Sequence, residues 1–329
     1  MASVFVTQFR KRCSLLLAIF VLVSSVLLVY HVTYHVRSKH RREIRFLTYN
    51  IWDSSLKMRE RMEELGKIVE DLEPDVLAFQ EVTLDNLAVL REQRWFSRYH
   101  LIPRGVLKSD GKHFVIILSV FPVDKWLVHP FTNNLNSTSN RGLVLAEVRN
   151  TISSRDVTFV FVATHLAYGG FGTTQREQQL KESFPIISYY DNVCIMGDLN
   201  IYENIDGEVV LPPAWFDAWL SIPGNSNENG FTYDRLKNSI LKGPRAVNAT
   251  RYNERFDRVF CKLFDFKVKE MRIVGDEVTR TGTLPSDHFG LFTVVEHIEK
   301  FETEKQKQST GSENKVYFKR PRGWEKLIK

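Results

Sequence analysis

The sequence predicts an α/β domain in which two β-sheets pack face to face and helices cover their outer sides. Seven strand-like runs lie between residues 45 and 298, and they are rich in β-branched and aromatic residues. Several of these runs are apolar on both faces, which is typical of sheets buried inside a layered body. The region contains no internal repeat and no Ser/Gly-rich linker. We therefore expect residues 45–298 to form one domain.

The strand-like runs follow one another along the chain as IRFLTYNIW, DVLAFQEV, HFVIILSV, VTFVFVATHL, DNVCIMGDLN, ERFDRVFCKL and GLFTVVE. A helical pattern separates the first two runs. Its apolar residues recur at the spacing of an amphipathic helix, at Met62, Leu65, Ile68, Val69 and Leu72. Pro74 ends this helix, because proline lacks the backbone N–H that the helical ladder needs.

An apolar segment precedes the domain. Residues 14–30 carry no charge, and three basic residues come directly before them. With the following HVTYHV, the run reaches the roughly twenty residues that cross a bilayer. It is longer than the core of a cleaved signal peptide and has no small-residue cleavage site. We expect a transmembrane helix over residues 13–36, between a short segment of residues 1–12 and a basic linker of residues 37–44.

The side of the membrane on which the domain lies is less clear from the sequence. Five basic residues follow the apolar segment and three precede it, which favours a cytosolic domain. Glycosylation sequons at Asn136 and Asn248 would instead suit a lumenal domain. We favour the cytosolic side. The tail, residues 299–329, is polar and poor in apolar residues, so we expect it to be disordered.

The positive charge of the chain belongs to its two ends. The formal net charge is +6, but residues 1–45 carry eight Lys/Arg against one acid, and residues 300–329 carry nine against four. The domain between them is therefore net negative, and composition alone indicates no nucleic-acid footprint on it. The three cysteines, Cys13, Cys194 and Cys261, form neither a disulfide framework nor a metal-binding spacing, so we expect small buried thiols.

Polar residues capable of proton and metal chemistry stand at one end of five of the strand-like runs. The set consists of Asn50, Glu81, His165, Asp198 with Asn200, and Asp287 with His288. Each of these residues alone is more often a turn residue, a solvated acid or a structural histidine. Their repetition at the ends of successive strands predicts that they meet at one rim of the sheets, where ligands tend to bind.

Such a set suits the hydrolysis of a phosphoester. Oxygen ligands such as Glu81 favour Mg²⁺, with Mn²⁺ as the alternative, and the lack of HxxxH or CxxC within residues 45–298 argues against a tight zinc site. Asp198 is placed to orient or deprotonate an attacking water. His288, with Asp287 beside it in the sequence, could stabilise negative charge on the phosphoryl oxygens.

The motifs LTYNIW, DVLAFQEV, VATHL, IMGDLN, RFDRVF and PSDHFGL occur in the order found in the endonuclease/exonuclease/phosphatase superfamily. The chain resembles this superfamily over roughly Arg45 to Glu296. Within it, FTYDRLKNSIL, ERFDRVF and LPSDHFGLF are most similar to the tyrosyl-DNA phosphodiesterase 2 subfamily. The resemblance implies a four-layered α/β sandwich, one or two Mg²⁺ ions, and cleavage of phosphoester bonds by in-line attack of water.

The resemblance also implies a role for each motif residue. Glu81 would bind the metal, with Asn50 and Asp287 in the same network. Asp198 would orient the water, and His288 would stabilise the transition state while Asp287 supports His288 or the metal.

Further roles concern the substrate phosphate. The resemblance implies that Asn200 and His165 contact it and that Asp257 orients the site. Two substrate-binding positions depart from the subfamily, because Tyr202 stands where an arginine is expected and Tyr233 where a tryptophan is expected. An aromatic ring can still stack on a base.

Three functions remain open at this point. The first is a Mg²⁺-dependent phosphodiesterase of DNA repair that acts on a DNA end with a 5′-phosphotyrosyl adduct. The second keeps the chemistry but acts on a membrane phospholipid, as in neutral sphingomyelinase-like members or phosphoinositide phosphatases, because an anchored, acidic domain suits a bilayer substrate. The third is an inactive, membrane-tethered binding module. We expect no obligate protein partner.

Overall fold

Two six-stranded β-sheets form the body of the protein in the computed structural model. The structure describes residues 20–21, 24–25, 42–104, 113–132, 141–152, 155–242, 253–277, 282–298 and 317–319. The strands in these ranges are β1 (Glu43–Asn50), β2 (Val76–Val82), β3 (His100–Ile102), β4 (Phe114–Ser119), β5 (Val123–Pro130), β6 (Gly142–Ile152), β7 (Arg155–His165), β8 (Asn192–Asp198), β9 (Glu208–Val210), β10 (Phe216–Asp217), β11 (Asp257–Leu263), β12 (Phe266–Val274), β13 (Gly290–His297) and β14 (Tyr317–Lys319). The helices are α1 (Met58–Leu72), α2 (Leu84–Arg91), α3 (Thr173–Ile187) and α4 (Glu203–Asp206).

Both large sheets are mixed. The first has the order β12-β13-β1-β2-β4-β3, and the second has the order β10-β11-β8-β7-β6-β5. Each sheet contains one parallel pair among its described strands, β1 with β2 and β7 with β8. The carboxyl ends of the strands in a parallel pair lie at the same edge of their sheet, so polar residues that follow them are brought together.

The two sheets pack face to face, and strand β7 shows how. Phe159 and Phe161 point into the core between the sheets, whereas Val160 and Val162 lie in a second core beneath α3. This alternation follows from the two-residue period of a strand. Phe161 meets Phe46 of the other sheet edge-to-face, with ring centroids 5.4 Å apart. The fold is thus an α/β sandwich of two packed sheets, as the sequence predicted.

Helix α1 covers the outer face of the first sheet. Its buried residues include Met62, Leu65 and Val69 of the predicted apolar stripe. The helix ends at Leu72, and Glu73 follows in the left-handed conformation with its N–H bonded to the carbonyl of Val69. The helix therefore ends just before Pro74, which confirms the predicted boundary.

All seven predicted strands are present, and several others were missed. The missed strands in the two large sheets are β3, β5, β6, β10 and β12. Strand β5 is an edge strand with a largely exposed surface. Strand β12 alternates apolar residues with Lys and Glu, as in FKVKEMRIV. Both patterns differ from the doubly apolar runs used to recognise the buried strands.

The expectation of free thiols at Cys194 and Cys261 is wrong, because these two residues form a disulfide bond. They face each other directly in the antiparallel pair of β8 and β11, with Cα atoms 4.2 Å apart and both side chains buried between the sheets. They are 67 residues apart in the chain. The strand register that joins them cannot be read from their spacing.

The predicted terminal segments lie mostly outside the described residues. Among the residues that the structure describes, no helix has the length and apolar character to span a membrane. Of the predicted transmembrane segment, only residues 20–21 and 24–25 are described, as helix. Both glycosylation sequons are also outside the described ranges. In the tail predicted to be disordered, Tyr317–Lys319 forms β14 and pairs with β9.

Candidate active site

The polar strand ends of both sheets meet at one rim of the sandwich. The link between the sheets is direct, because Asn50 Nδ2 at the end of β1 donates to Asp198 Oδ2 at the end of β8 at 2.9 Å. Beside this contact lies an open cavity of about 430 Å³. It is lined by Glu81, His113, Arg141, His165, Tyr168, Asp198, Asn200, Tyr202, Tyr233, Arg235, Glu254, Phe256 and His288.

Asp198 is the most heavily constrained carboxylate of the rim. Oδ2 accepts from Asn50 and lies 3.2 Å from His165 Nε2, while Oδ1 accepts the backbone N–H of Asn200 at 2.9 Å. Burial alone would raise the pKa of this carboxyl, but the contacts with His165, His288 and Asn50 outweigh it and hold the pKa well below its usual range. A carboxylate has about four acceptor positions. Asp198 is therefore ionised, with one position left for a further donor.

Asn200 is held in a strained backbone conformation next to this carboxylate. Its φ is 50°, in the left-handed region that non-glycine residues rarely adopt. The side chain donates to the carbonyl of Leu166 at 3.3 Å. The residue thus joins the end of β8 to the loop after β7 and places its backbone N–H on Asp198.

His165, at the end of β7, is buried but borders the cavity. Burial, followed by the positive charge of Arg141, lowers its pKa against the opposing influence of Asp198. Its Nδ1 atom is buried without a hydrogen-bond partner among the described residues. His165 is thus a neutral imidazole whose Nε2 atom contacts Asp198, while its Nδ1 atom makes no hydrogen bond to the described residues.

His288 is paired with Asp257, which corrects the expectation that the adjacent Asp287 supports it. Nδ1 of His288 lies 2.8 Å from Asp257 Oδ2, and its Nε2 lies 3.9 Å from Asp198 Oδ2. Burial would lower the pKa of His288, but Asp257 and then Asp198 raise it well above the usual value. Asp257 begins β11 of the second sheet, opposite Asp198 on β8, whereas His288 precedes β13 of the first sheet, so the partner comes from the other sheet.

Asp287 has a different environment from its neighbour. Its Oδ1 atom lies 3.2 Å from the hydroxyl oxygen of Ser286, which donates its proton to the carbonyl of Asn50 at 2.6 Å. Burial is the largest influence on its carboxyl, and with the charge of Glu81 it raises the pKa to about 6 against the opposing charge of His288. Asp287 thus lies within electrostatic range of Glu81, but it belongs to neither ligand cluster that contains Glu81 among the described residues.

Arg61 of α1 fixes the loops that carry these residues. Its guanidinium is buried and donates to the backbone carbonyls of Ile51, Trp52, Ser54, Leu56 and Pro285. The first four follow β1, and the last precedes Ser286. One side chain therefore joins the Asn50 end of the rim to the Asp287–His288 end.

Glu81 projects from an irregular point of β2. The pairing of β2 with β4 shifts register between Phe79 and Val82, and Glu81 has a φ of 57°. Such a bulge turns a side chain out of the strand at a local energetic cost. Its Oε2 atom accepts the backbone N–H of Asp53 at 3.1 Å.

Glu81 belongs to two clusters of possible metal ligands. One consists of Glu81, His165 and Asp198, and the other consists of Glu81, Asp53 and His113. Within each cluster the ligand atoms lie within 4.8 Å of one another. Ligand sets of two carboxylates and one imidazole fit a divalent cation that retains water molecules. The chemistry of the donors therefore agrees with the predicted Mg²⁺ or Mn²⁺.

The two predicted substrate-binding tyrosines lie on the cavity wall. The ring of Tyr202 packs edge-to-face on Phe256 at 4.7 Å and lies 5.2 Å from the guanidinium of Arg176. Tyr233 packs against the ring of His288 at 5.2 Å. Both rings are half-buried and reach the cavity. They are fixed aromatic surfaces next to the predicted catalytic histidine.

Several cavity residues were not found from the sequence. The missed residues of the cavity lining are His113, Arg141, Tyr168, Arg235, Glu254 and Phe256, and Asp53 of a ligand cluster was missed as well. His113 and Arg141 lie just before β4 and β6, which run antiparallel to the strands that end at this rim. The start of an antiparallel neighbour lies beside the end of the strand it pairs with. The order of strands in the sheet was the missing information.

This geometry agrees with the family relationship of the chain. The model of the Endonuclease/Exonuclease/phosphatase family matches residues 47–288, which include the rim from its first strand to His288. The chain belongs to the endonuclease/exonuclease/phosphatase family. The name of this family describes nucleases and phosphatases, so the chain is a member of a family of phosphoester hydrolases.

Relatives of this family member include tyrosyl-DNA phosphodiesterases. A 5′-tyrosyl-DNA phosphodiesterase of Caenorhabditis elegans is 25% identical over 237 residues, which are 70% of this chain and 60% of that protein. The chain thus spans 60% of the length of this curated relative.

Solved structures show the same fold. Truncated C. elegans TDP2 (tyrosyl-DNA phosphodiesterase 2) matches with a TM-score of 0.62 and 24% identity, over 77% of this chain and 98% of that one. D. rerio TDP2 complexed with a single strand DNA product matches with a TM-score of 0.63 and 20% identity over the same shares. A Bacteroides vulgatus member of the family matches with a TM-score of 0.58 and 19% identity, over 78% and 99% of the two chains.

Proposed function

We propose that the chain is a divalent-cation-dependent phosphodiesterase that cleaves a phosphoester bond by attack of water. The observation that carries this proposal is the pairing of opposite charges across the cavity. An ionised carboxylate, Asp198, with one free acceptor position lies 3.9 Å from His288, whose charge is balanced by Asp257. A base for water and a cationic group for phosphate therefore stand side by side.

Asp198 is the group that acts on the water. Asn50, His165 and the N–H of Asn200 fill three of its acceptor positions and fix its orientation. The remaining position accepts a proton of the attacking water and aims its oxygen at phosphorus. Because the donors are already in place, little reorganisation is needed when the reaction occurs.

His288 acts on the phosphate. Its Nδ1 atom is held by Asp257, which leaves Nε2 to donate to a phosphoryl oxygen. A charged donor in a buried setting stabilises the negative charge that grows in the transition state. Arg141 and Arg235 line the same cavity and add positive charge around the phosphate. Their presence offsets the arginine that the subfamily has and this chain replaces by Tyr202.

Glu81 would hold the cation, in one ligand cluster with His165 and with Asp198, to which Asn50 donates, and within electrostatic range of Asp287. A divalent cation bound there supplies charge neutralisation for the phosphate and the leaving oxygen. We propose Mg²⁺ as this cation, with Mn²⁺ as a substitute.

The substrate class that we propose is a DNA end with a 5′-phosphotyrosyl adduct. The name of the C. elegans relative supports it, and the aromatic wall of Tyr202, Tyr233 and Tyr168 supplies surfaces on which a base or a tyrosyl ring could stack. The cavity is open, which suits the end of a polymer.

The test is turnover of a 5′-phosphotyrosyl oligonucleotide by the full-length chain with Mg²⁺. We expect release of the tyrosyl group, its loss in EDTA, and a fall of about 10²–10⁴-fold with Asp198→Asn. Asp124→Asn, an exposed carboxylate on the β5 edge, is the matched control and should leave the rate unchanged. Sphingomyelin and phosphoinositide vesicles form the second arm. Hydrolysis of vesicles with no action on the oligonucleotide would reject the DNA substrate and keep the phosphodiesterase.

A further inference from the structure

Arg176 and Asp206 form a buried ion pair next to the cavity, and the proposed reaction does not use it. Both side chains are 0% exposed. Arg176 Nε donates to Asp206 Oδ2 at 2.9 Å and Nη2 donates to Oδ1 at 2.6 Å, so the planar guanidinium binds both carboxylate oxygens. Among the described residues, neither partner belongs to a ligand cluster of the rim. The role of the pair therefore lies outside the cation centre.

The remaining N–H groups of Arg176 hold the loop that follows β7. Nη1 donates to the carbonyl of Ala167 at 2.9 Å and to that of Gly169 at 2.7 Å. These two residues flank Tyr168, whose ring lines the cavity and is 71% exposed. Nη2 also donates to the hydroxyl of Thr173 at 3.3 Å. All five donors of the guanidinium are therefore used within the protein.

Asp206 holds the loop that follows β8. Its Oδ2 atom also accepts the backbone N–H of Tyr202 at 2.9 Å, and Oδ1 accepts from the hydroxyl of Thr173. With the two bonds from Arg176, the four acceptor positions of the carboxylate are filled. Tyr202 lines the same cavity as Tyr168. The ion pair thus joins the two loops that present these rings.

The two loops also meet at the side chain of Tyr202. Its ring lies 5.2 Å from the guanidinium of Arg176. Burial raises the pKa of the Tyr202 hydroxyl, and the charge of Arg176 and a hydrogen bond with the backbone of Gly169 oppose that rise. Tyr202 therefore contacts the loop that carries Tyr168, and Arg176 lies beside both.

A fully buried ion pair adds little net stability compared with apolar side chains of the same volume. Its particular contribution is direction, because a guanidinium and a carboxylate bind partners that lie near their planes. Aromatic surfaces that are fixed before binding save the free energy of ordering them when the ligand arrives. We propose that Arg176 and Asp206 are positioning residues, which hold Tyr168 and Tyr202 ready to stack on the bases of a DNA end. This role rests on the proposed function, since it requires nucleic acid in the cavity.

The test measures two quantities on the full-length chain. Binding of a 5′-phosphorylated single-stranded oligonucleotide is followed by fluorescence anisotropy in EDTA, and turnover of the 5′-phosphotyrosyl oligonucleotide is followed separately. Arg176→Lys keeps the charge but offers three donors in place of five, and it should raise the dissociation constant about tenfold, the effect of losing roughly one stacked base. The kcat should stay within about twofold, because the contacts of Asp198 and His288 do not involve the pair. Glu182→Gln removes a contact of the same helix with His129 and should leave both quantities unchanged.

Two combined variants separate positioning from stability. Arg176→Met together with Asp206→Leu removes both buried charges, so this protein should melt like the wild type and still bind about tenfold more weakly. In a protein that carries Tyr168→Ala and Tyr202→Ala, Arg176→Lys should have almost no further effect on binding, because it acts through the two rings. This second comparison decides alone if the first variant does not fold. Wild-type affinity in either Arg176 variant, a full tenfold loss in the background without the two rings, or no binding by the wild type would overturn the positioning role. Binding by the wild type without turnover would instead reject the proposed function alone.

Discussion

Glu254 lines the cavity but makes no contribution to the proposed reaction, and its charge should destabilise the fold. The residue is 3% exposed. Burial raises the pKa of its carboxyl to about 7, helped by the like charge of Glu203 and opposed by Arg258. Replacing it by glutamine keeps the shape and removes the ionisation. We therefore expect Glu254→Gln to stabilise the protein at alkaline pH.

The sign and the size follow from linkage. An acid whose pKa is higher in the folded than in the unfolded protein stabilises the fold only while it is protonated. Its stabilising influence is complete below the unfolded value of 4.5 and is lost as the pH rises through about 7. Full conversion of this shift gives on the order of 3 kcal/mol. Since Glu254 borders an open cavity, solvent screening should leave about 1–2 kcal/mol.

The assay is urea unfolding of the wild type and Glu254→Gln between pH 5 and pH 8.5, in EDTA so that no cation contributes. The two proteins should have nearly equal free energies of unfolding at pH 5, and the variant should be more stable by about 1–2 kcal/mol at pH 8.5. Glu270→Gln, a half-exposed acid on β12, is the control and should show no such divergence. A difference between wild type and Glu254→Gln that stays constant with pH would refute the reasoning.

Three other expectations follow from particular contacts. Replacing Cys194 and Cys261 together by alanine should lower the free energy of unfolding by about 4 kcal/mol, because the disulfide closes a loop of 67 residues. Thermal melts of this variant should no longer depend on reductant. A melting curve identical to that of the wild type would contradict the expected loss of stability. Arg61→Lys should lower kcat at least tenfold, because lysine offers three donors in place of the five that hold the loops of the rim. Circular dichroism should show that the fold is retained. Full activity of the variant would mean that Arg61 does not position the rim. Asp257→Asn removes the charge that raises the pKa of His288, so the alkaline limb of the pH–rate profile should move to lower pH. The rate should also fall about 10²–10³-fold. An alkaline limb that stays in place would exclude His288 as the titrating donor.

The sequence was informative wherever function lies at the end of a buried strand. The doubly apolar runs predicted seven strands and the sandwich, and their polar ends predicted that Asn50, Glu81 and Asp198 share one rim. The contact between Asn50 and Asp198 joins the two sheets at that rim. This inference needed only the period of each strand and the residue that follows it.

Information about strand neighbours was beyond the sequence. The sequence places Asp287 beside His288, as its support or as part of the metal network, whereas the partner of His288 is Asp257, 31 positions away on β11 of the other sheet. The disulfide between Cys194 and Cys261 comes from the same pair of strands, β8 and β11. A sequence shows which residues are consecutive. The register of paired strands and the packing of the two sheets decide which distant residues come into contact.

The same reasoning explains why the ligand clusters centre on Glu81. A regular β2 would point consecutive side chains to alternate faces of the sheet, and Glu81 would then face either the core or α1. The register shift before Val82 and the left-handed φ of Glu81 turn its carboxylate to the rim instead. Such a conformation costs on the order of 1–3 kcal/mol and persists only where its surroundings impose it. The hydrogen bond from Asp53 and the pairing of Val82 with Phe114 supply that restraint on either side. Because Asp53 restrains Glu81 through its backbone N–H and not through its side chain, Asp53→Asn should leave the bulge intact.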